Sequence, residues 1–146
     1  MITDDELLGA FEAGQEPEGG FHHREHLRVA WLYLRRDPWP AALGRFAEGL
    51  KRFAIAQGQP GLYHETVTVA YFLLIHQRMA EGGQVWNREF TIPDLTPPEP
   101  TFDGFVARYP ELLGWKPSIL DRYYDAATLA SDLARRVFVM PDRLAR

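Results

Sequence analysis

The segment from residue 63 to residue 81 constrains the fold of this chain more than any other part of the sequence. It is apolar almost all the way round a helix, which is typical of a helix that is buried on most sides. Its most apolar run, from Val67 to Ile75, is too short to cross a bilayer. The segment is therefore predicted to be the central helix of a globular fold.

Three more helices are predicted before this segment. Thr3 and Glu6 have the spacing of a capping box at the start of a short first helix. A second helix is predicted over residues 22–36, and Asp37-Pro38 ends it and opens a third. The third helix carries an apolar stripe at helical spacing, formed by Leu43, Phe46, Leu50 and Phe53.

The periodicity fails over residues 82–100, where "IPDLTPPEP" is typical of a proline-stiffened surface connector or lid. Pro117 then opens a last helical region, in which Tyr123, Ala127, Ala130, Ala134 and Val137 recur at helical spacing. No segment shows the strict alternation of a β-strand. The chain is therefore predicted to form a single all-α domain over residues 1–146, a bundle of five or six helices with a proline-rich connector.

Charge and composition exclude several classes of function. The net charge of −4 argues against a nucleic-acid partner, because phosphate recognition needs a concentrated excess of Lys and Arg. The absence of cysteine removes disulfides, thiolate nucleophiles and Cys-ligated metals. Neither Ser118 nor Ser131 stands in a Gly-x-Ser-x-Gly turn, so a hydrolase triad has no local support. The start "MITDDELL" lacks the basic residues of a signal peptide, and we expect a cytoplasmic protein with no membrane partner.

The histidines are the one chemical lead in the sequence. His22, His23 and His26 open the second helix, and "YHET" at residues 63–66 opens the fourth. On a helical wheel His23 falls inside the apolar stripe and His26 on its uncharged flank. In an up-and-down bundle the second and fourth helices start at the same end, so these clusters are predicted to share a level. His76 lies about 18 Å further along the helix and is predicted to be a capping or surface residue.

One hypothesis is a mononuclear metal site. His23, His26 and His64 would be its ligands, and Glu65 would be a fourth ligand or the base that deprotonates a bound water. Three nitrogen ligands with an open position describe a catalytic zinc centre, and nickel or iron would also fit. The sequence lacks the His-Glu-x-x-His pattern, which argues against a protease.

Two alternatives stay open at this point. The same residues could form a buried polar network that fixes how the two helices pack, or a metal-free pocket that binds or acts on a small molecule. The sequence does not decide whether the protein is an enzyme or a non-catalytic binding or interaction protein. Trp86 and Trp115 flank the irregular segment and would either cover the bundle or form a patch for a partner, such as a second copy in a homodimer.

Two resemblances accompany these patterns. The segments "FHHREHLRVAWLYL", "YHETVTVAYFLLI" and "ARRVFVMPD" resemble a widespread, functionally uncharacterised family of small helical bacterial proteins, which implies a fold but no activity. The chain is more loosely similar to the DinB-type helical metalloproteins, four-helix bundles in which three histidines from two helices hold a metal. Those proteins carry their histidine pair on the last helix, so this resemblance implies only a histidine triad within a bundle.

Overall fold

Seven α-helices build the part of the chain that the computed structural model describes, residues 2–82 and 101–143. Three short 3-10 turns connect them, at Pro60–Leu62, Pro110–Leu113 and Ile119–Arg122. The helices are α1 (Asp4–Glu12), α2 (His23–Arg36), α3 (Trp39–Ala56), α4 (Glu65–Glu81), α5 (Phe102–Arg108), α6 (Ala126–Leu129) and α7 (Asp132–Arg136). No β-strand occurs within these residues. The predicted all-α bundle is therefore confirmed.

Local hydrogen bonds explain where the first helices begin. The Thr3 hydroxyl accepts from the Glu6 N–H at 3.1 Å and the Glu6 carboxylate accepts from the Thr3 N–H at 3.2 Å, which confirms the capping box. At the start of α2, the Glu25 carboxylate accepts from the His22 N–H at 2.9 Å. Side chains thus pair backbone groups that a helix leaves without a partner at its first turn. The starts of both helices agree with the sequence predictions.

The core lies between α2, α3 and α4, which all pack against one another. The α2 segment from Leu27 to Leu34 is buried except for Arg28, and Trp31 and Phe72 are fully inaccessible to solvent. Helix α4 also packs against α7 and the turn Ile119–Arg122. It is thus buried on several sides, as its apolar sequence predicts.

The last helical region is present but divided. It consists of the turn Ile119–Arg122 and the two short helices α6 and α7. Asp125 and Ser131, which precede α6 and α7, both have extended backbone, and the Ser131 hydroxyl accepts from the Ala134 N–H at 3.1 Å. The Ser131 side chain competes for a backbone N–H group in this way and interrupts a helix. The regular spacing of apolar residues therefore does not correspond to one continuous helix.

Residues 83–100, which hold Trp86 and nearly all of the predicted connector, lie outside the described residues. Among the helices that are described, none combines the length and the apolar character needed to cross a bilayer.

Candidate functional site

A half-open cavity of about 660 Å³ lies at the N-terminal ends of α2 and α4, beside the C-terminal half of α3. Most of its wall is apolar, with Phe21, Leu50, Phe53, Leu62, Val67 and Trp115 among the lining residues. His26, Tyr63 and His64 also line it. Two of the histidines selected from the sequence therefore share one cavity, as the parallel starts of α2 and α4 predict.

Phe21 fixes the position of the His26 imidazole in this cavity. The two ring centroids are 4.3 Å apart. His22 is the N-cap of α2, so Phe21 directly precedes the cap and His26 is the fourth helical residue. A contact between these two positions is called a hydrophobic staple. Sequence reasoning missed Phe21, although a large apolar residue just before an N-cap is the signal that marks such a staple.

The His26 imidazole has no hydrogen-bond partner among residues 2–82 and 101–143. Burial, together with smaller effects of the neighbouring His23 and His22, lowers its pKa to about 4. The side chain keeps part of its surface accessible, and it lines the cavity. At neutral pH it is therefore an uncharged ring that offers one donor and one acceptor.

His64 uses both of its ring nitrogens within the protein. Nδ1 accepts from the Val67 N–H at 3.1 Å, so the side chain caps α4. Nε2–H donates to the Leu129 carbonyl oxygen at 2.7 Å. These two bonds assign the tautomer, and they leave no lone pair on the ring for a metal.

His23 lies in a different environment. Its Nε2–H donates to the Leu112 carbonyl oxygen at 2.8 Å, and its ring centroid is 4.9 Å from those of both Tyr71 and Trp115. Burial lowers the pKa of His23. The imidazole thus ties the first turn of α2 to the turn Pro110–Leu113, and His23 is not among the residues that line the cavity.

Glu65 contacts the cavity only through Tyr63. The Tyr63 hydroxyl donates to the Glu65 carboxylate, and Tyr63 but not Glu65 is among the lining residues. Burial and the neighbouring carboxylate raise the pKa of Tyr63. The hydroxyl therefore stays protonated at neutral pH. Because Glu65 does not line the cavity, it is not placed there as the base or metal ligand that the sequence predicts.

The residues present do not fit the predicted metal site. No group of three His, Asp or Glu side chains in the described ranges is placed to hold a metal ion. His64 has no free nitrogen, and Nε2 of His23 is occupied by a backbone carbonyl. The predicted ligand set of His23, His26 and His64 is therefore not assembled in this part of the chain.

His76 is neither the cap nor the fully exposed residue that the sequence predicts. It lies on α4 with its ring half-buried 5.9 Å from that of Trp39, and Nδ1 is buried without a hydrogen-bond partner among the described residues. Burial lowers its pKa. It does not line the cavity.

Acidification is expected to destabilise the protein through His26. The unfolded chain protonates this residue below pH 6.5, whereas the folded chain resists protonation until about pH 4. The unfolded state binds more protons within this window, so about 3 kcal/mol of stability is lost as the pH falls through it. Urea unfolding of the wild type and of His26→Gln on either side of the window measures this loss. Equal pH dependence in both proteins would contradict the assignment.

Comparison with protein-family models, with curated proteins and with solved structures gives no match. The function therefore has to be inferred from the cavity and the residues around it.

Proposed function

We propose that this protein binds a small, mostly apolar molecule in the cavity at the starts of α2 and α4, and that His26 hydrogen-bonds to it. The observation that carries the proposal is the His26 imidazole. It lines the cavity, and it has no hydrogen-bond partner among the described residues. Ligand sites commonly combine an apolar wall with a few fixed polar groups, and the cavity volume lies in the range that such sites occupy.

The accessibility of the His26 imidazole supports this proposal. The imidazole lines the half-open cavity and bonds to no described residue, so its donor and its acceptor can bond to a molecule there. A polar group of the ligand would then be recognised at a fixed point.

His23 and His64 are better explained as structural residues. Their hydrogen bonds to the carbonyl groups of Leu112 and Leu129 connect the starts of α2 and α4 to the second half of the chain. Satisfied polar contacts of this kind fix how elements pack. A structural role therefore accounts for these two histidines, although they connect α2 and α4 to the second half of the chain rather than to each other, and His26 is the one left for a ligand.

Binding is favoured over acid–base catalysis by the pKa of His26. A general base works best when its pKa is close to the working pH. With a pKa of about 4, the imidazole is a weak base at neutral pH. It is better suited to hold a ligand by hydrogen bonds than to remove a proton from one.

Filling the cavity is expected to abolish binding. Ala54 lines the cavity, whereas its neighbour Ile55 on α3 is 65% exposed. Naphthylmethanol, an aromatic alcohol, serves as the test ligand. Ala54→Trp should therefore eliminate its binding, and Ile55→Trp, a matched control, should retain it. His26→Leu should weaken binding about three- to tenfold, the contribution of one hydrogen bond. Isothermal titration calorimetry measures these affinities, and circular dichroism checks that each variant is folded.

Two outcomes would contradict the proposal. One is that naphthylmethanol fails to bind the wild type or binds Ala54→Trp equally well. The other is that the protein binds zinc stoichiometrically, raises its melting temperature with zinc, and loses both effects in His64→Ala. The second outcome would favour the metal site predicted from the sequence, because a ligand that binds only the folded state stabilises it.

A further inference from the structure

A guanidinium group lines the same cavity as His26. Arg135 of α7 is a lining residue, and its Nη1–H donates to the Gly61 carbonyl oxygen at 2.8 Å. No carboxylate within the described ranges forms an ion pair with it. The exposed guanidinium is thus held by a backbone contact, and no carboxylate of the described residues competes for it.

Aromatic rings form much of the remaining wall. The centroids of Phe21 and Phe53 are 4.5 Å apart, and Tyr63 and Trp115 also line the cavity. Trp115 is 51% exposed, and its packing on His23 holds its ring. Aromatic faces of this kind favour a planar aromatic ligand through stacked and edge contacts.

Glu16 is the one carboxylate among the lining residues, so the cavity carries both signs of charge. The two groups differ in how they are held. No hydrogen bond or ion pair involves the Glu16 side chain in the part of the chain that the structure describes, whereas the Arg135 guanidinium is anchored at Gly61. A group that is already positioned loses less conformational freedom on binding, and the planar guanidinium matches a carboxylate in geometry.

We propose that the ligand is an aromatic carboxylate, with its ring against Phe21 and Phe53 and its carboxylate on Arg135. This inference rests on the proposed function, since it specifies which small molecule the same cavity takes. His26 then hydrogen-bonds to a polar group of the ligand other than the charged one, or to the second carboxylate oxygen.

Three probes of one shape and different charge test the inference. These are naphthoate, naphthylmethanol and naphthylmethylammonium, each titrated into the full chain by isothermal titration calorimetry. Naphthoate is expected to bind about tenfold more tightly than the alcohol, the effect of one charge-assisted hydrogen bond at a partly exposed site. Arg135→Gln should lower the ratio of the naphthoate affinity to the alcohol affinity from about ten to about one.

Arg136→Gln is the matched control. Arg136 lies next to Arg135 on α7 and pairs with Asp132 at 2.7 Å, so this variant changes the net charge equally but keeps the guanidinium in the cavity. It should preserve the advantage of naphthoate. The inference would be overturned if naphthoate bound no more tightly than naphthylmethanol, or if naphthylmethylammonium bound most tightly of the three. Either result would leave the proposed function standing. Failure of naphthylmethanol to bind would overturn both.

Discussion

Phe11→Ala is expected to lower the free energy of unfolding by about 3 to 5 kcal/mol, the usual cost of removing a buried aromatic ring. The Phe11 side chain is 1% exposed. Its ring lies between 5.5 and 6.4 Å from four other rings, those of Phe21, Tyr33, Phe46 and Phe53. Urea denaturation followed by circular dichroism measures the loss, with exposed Leu133→Ala as a control that should change stability by less than about 0.5 kcal/mol.

Gly49 provides a sharper test of the same packing. A Cβ atom on Gly49 would lie 2.4 Å from the Phe11 ring, so α1 and α3 approach each other closely there. Gly49→Ala should cost about 1 to 3 kcal/mol through overpacking, even though alanine favours a helix. Gly44 lies on the same helix with nothing within 4 Å of such an atom, and Gly44→Ala should instead stabilise by up to about 1 kcal/mol.

The two substitutions should not be additive. In the Phe11→Ala background the ring that obstructs the new methyl group is gone, so Gly49→Ala should become neutral or stabilising. A double-mutant cycle measures this coupling. If Gly49→Ala lowers the free energy of unfolding equally in the wild type and in Phe11→Ala, contact with the Phe11 ring is not the reason that glycine is needed at position 49.

Thr66→Val is the second substitution with a large expected effect, a loss of about 2 to 4 kcal/mol. The Thr66 side chain is fully buried. Its hydroxyl donates to the Val137 carbonyl oxygen at 2.8 Å and accepts from the Val139 N–H at 3.0 Å. Valine has nearly the same shape but leaves both backbone groups without this partner, and an unpaired backbone group costs about 1 to 3 kcal/mol where it is shielded from water.

Thr66→Ser separates the hydrogen bonds from the packing. Serine keeps the hydroxyl and removes one methyl group, so its cost should be close to about 1 kcal/mol. Hydrogen exchange of the Val139 amide should accelerate in Thr66→Val and stay near the wild-type rate in Thr66→Ser. Equal stability losses in the two variants would show that the methyl group, rather than the hydroxyl, holds the last residues against α4.

Local signals in the sequence predicted the first half of the fold well. The starts of α1 and α2 follow from side chains within three residues of each end, such as Thr3 with Glu6, and helical spacing of apolar residues predicts the rest. The division of the last helical region was not predicted. The start of α7 depends on Ser131, whose side-chain bond to the Ala134 N–H is invisible to an apolar pattern.

The site was predictable only in part, because its chemistry depends on distant backbone groups. The parallel starts of α2 and α4 place His26 and His64 together, as the topology predicts. The acceptor for His23 lies 89 residues away and that for His64 lies 65 residues away. Both are carbonyl groups, which no side-chain pattern can indicate. The place of Arg135 at the cavity was missed for the same reason, since its anchor at Gly61 is another backbone oxygen.

The ring of Phe21 has a consequence for redesign of this protein. It contacts Phe11, Phe53 and His26, so a single side chain serves both the interior and the wall of the cavity. Substitutions made there to alter ligand preference would also reduce stability. Libraries aimed at new specificities should therefore vary the rim at Leu62 and Trp115, which are 70% and 51% exposed, and leave the phenylalanine cluster intact.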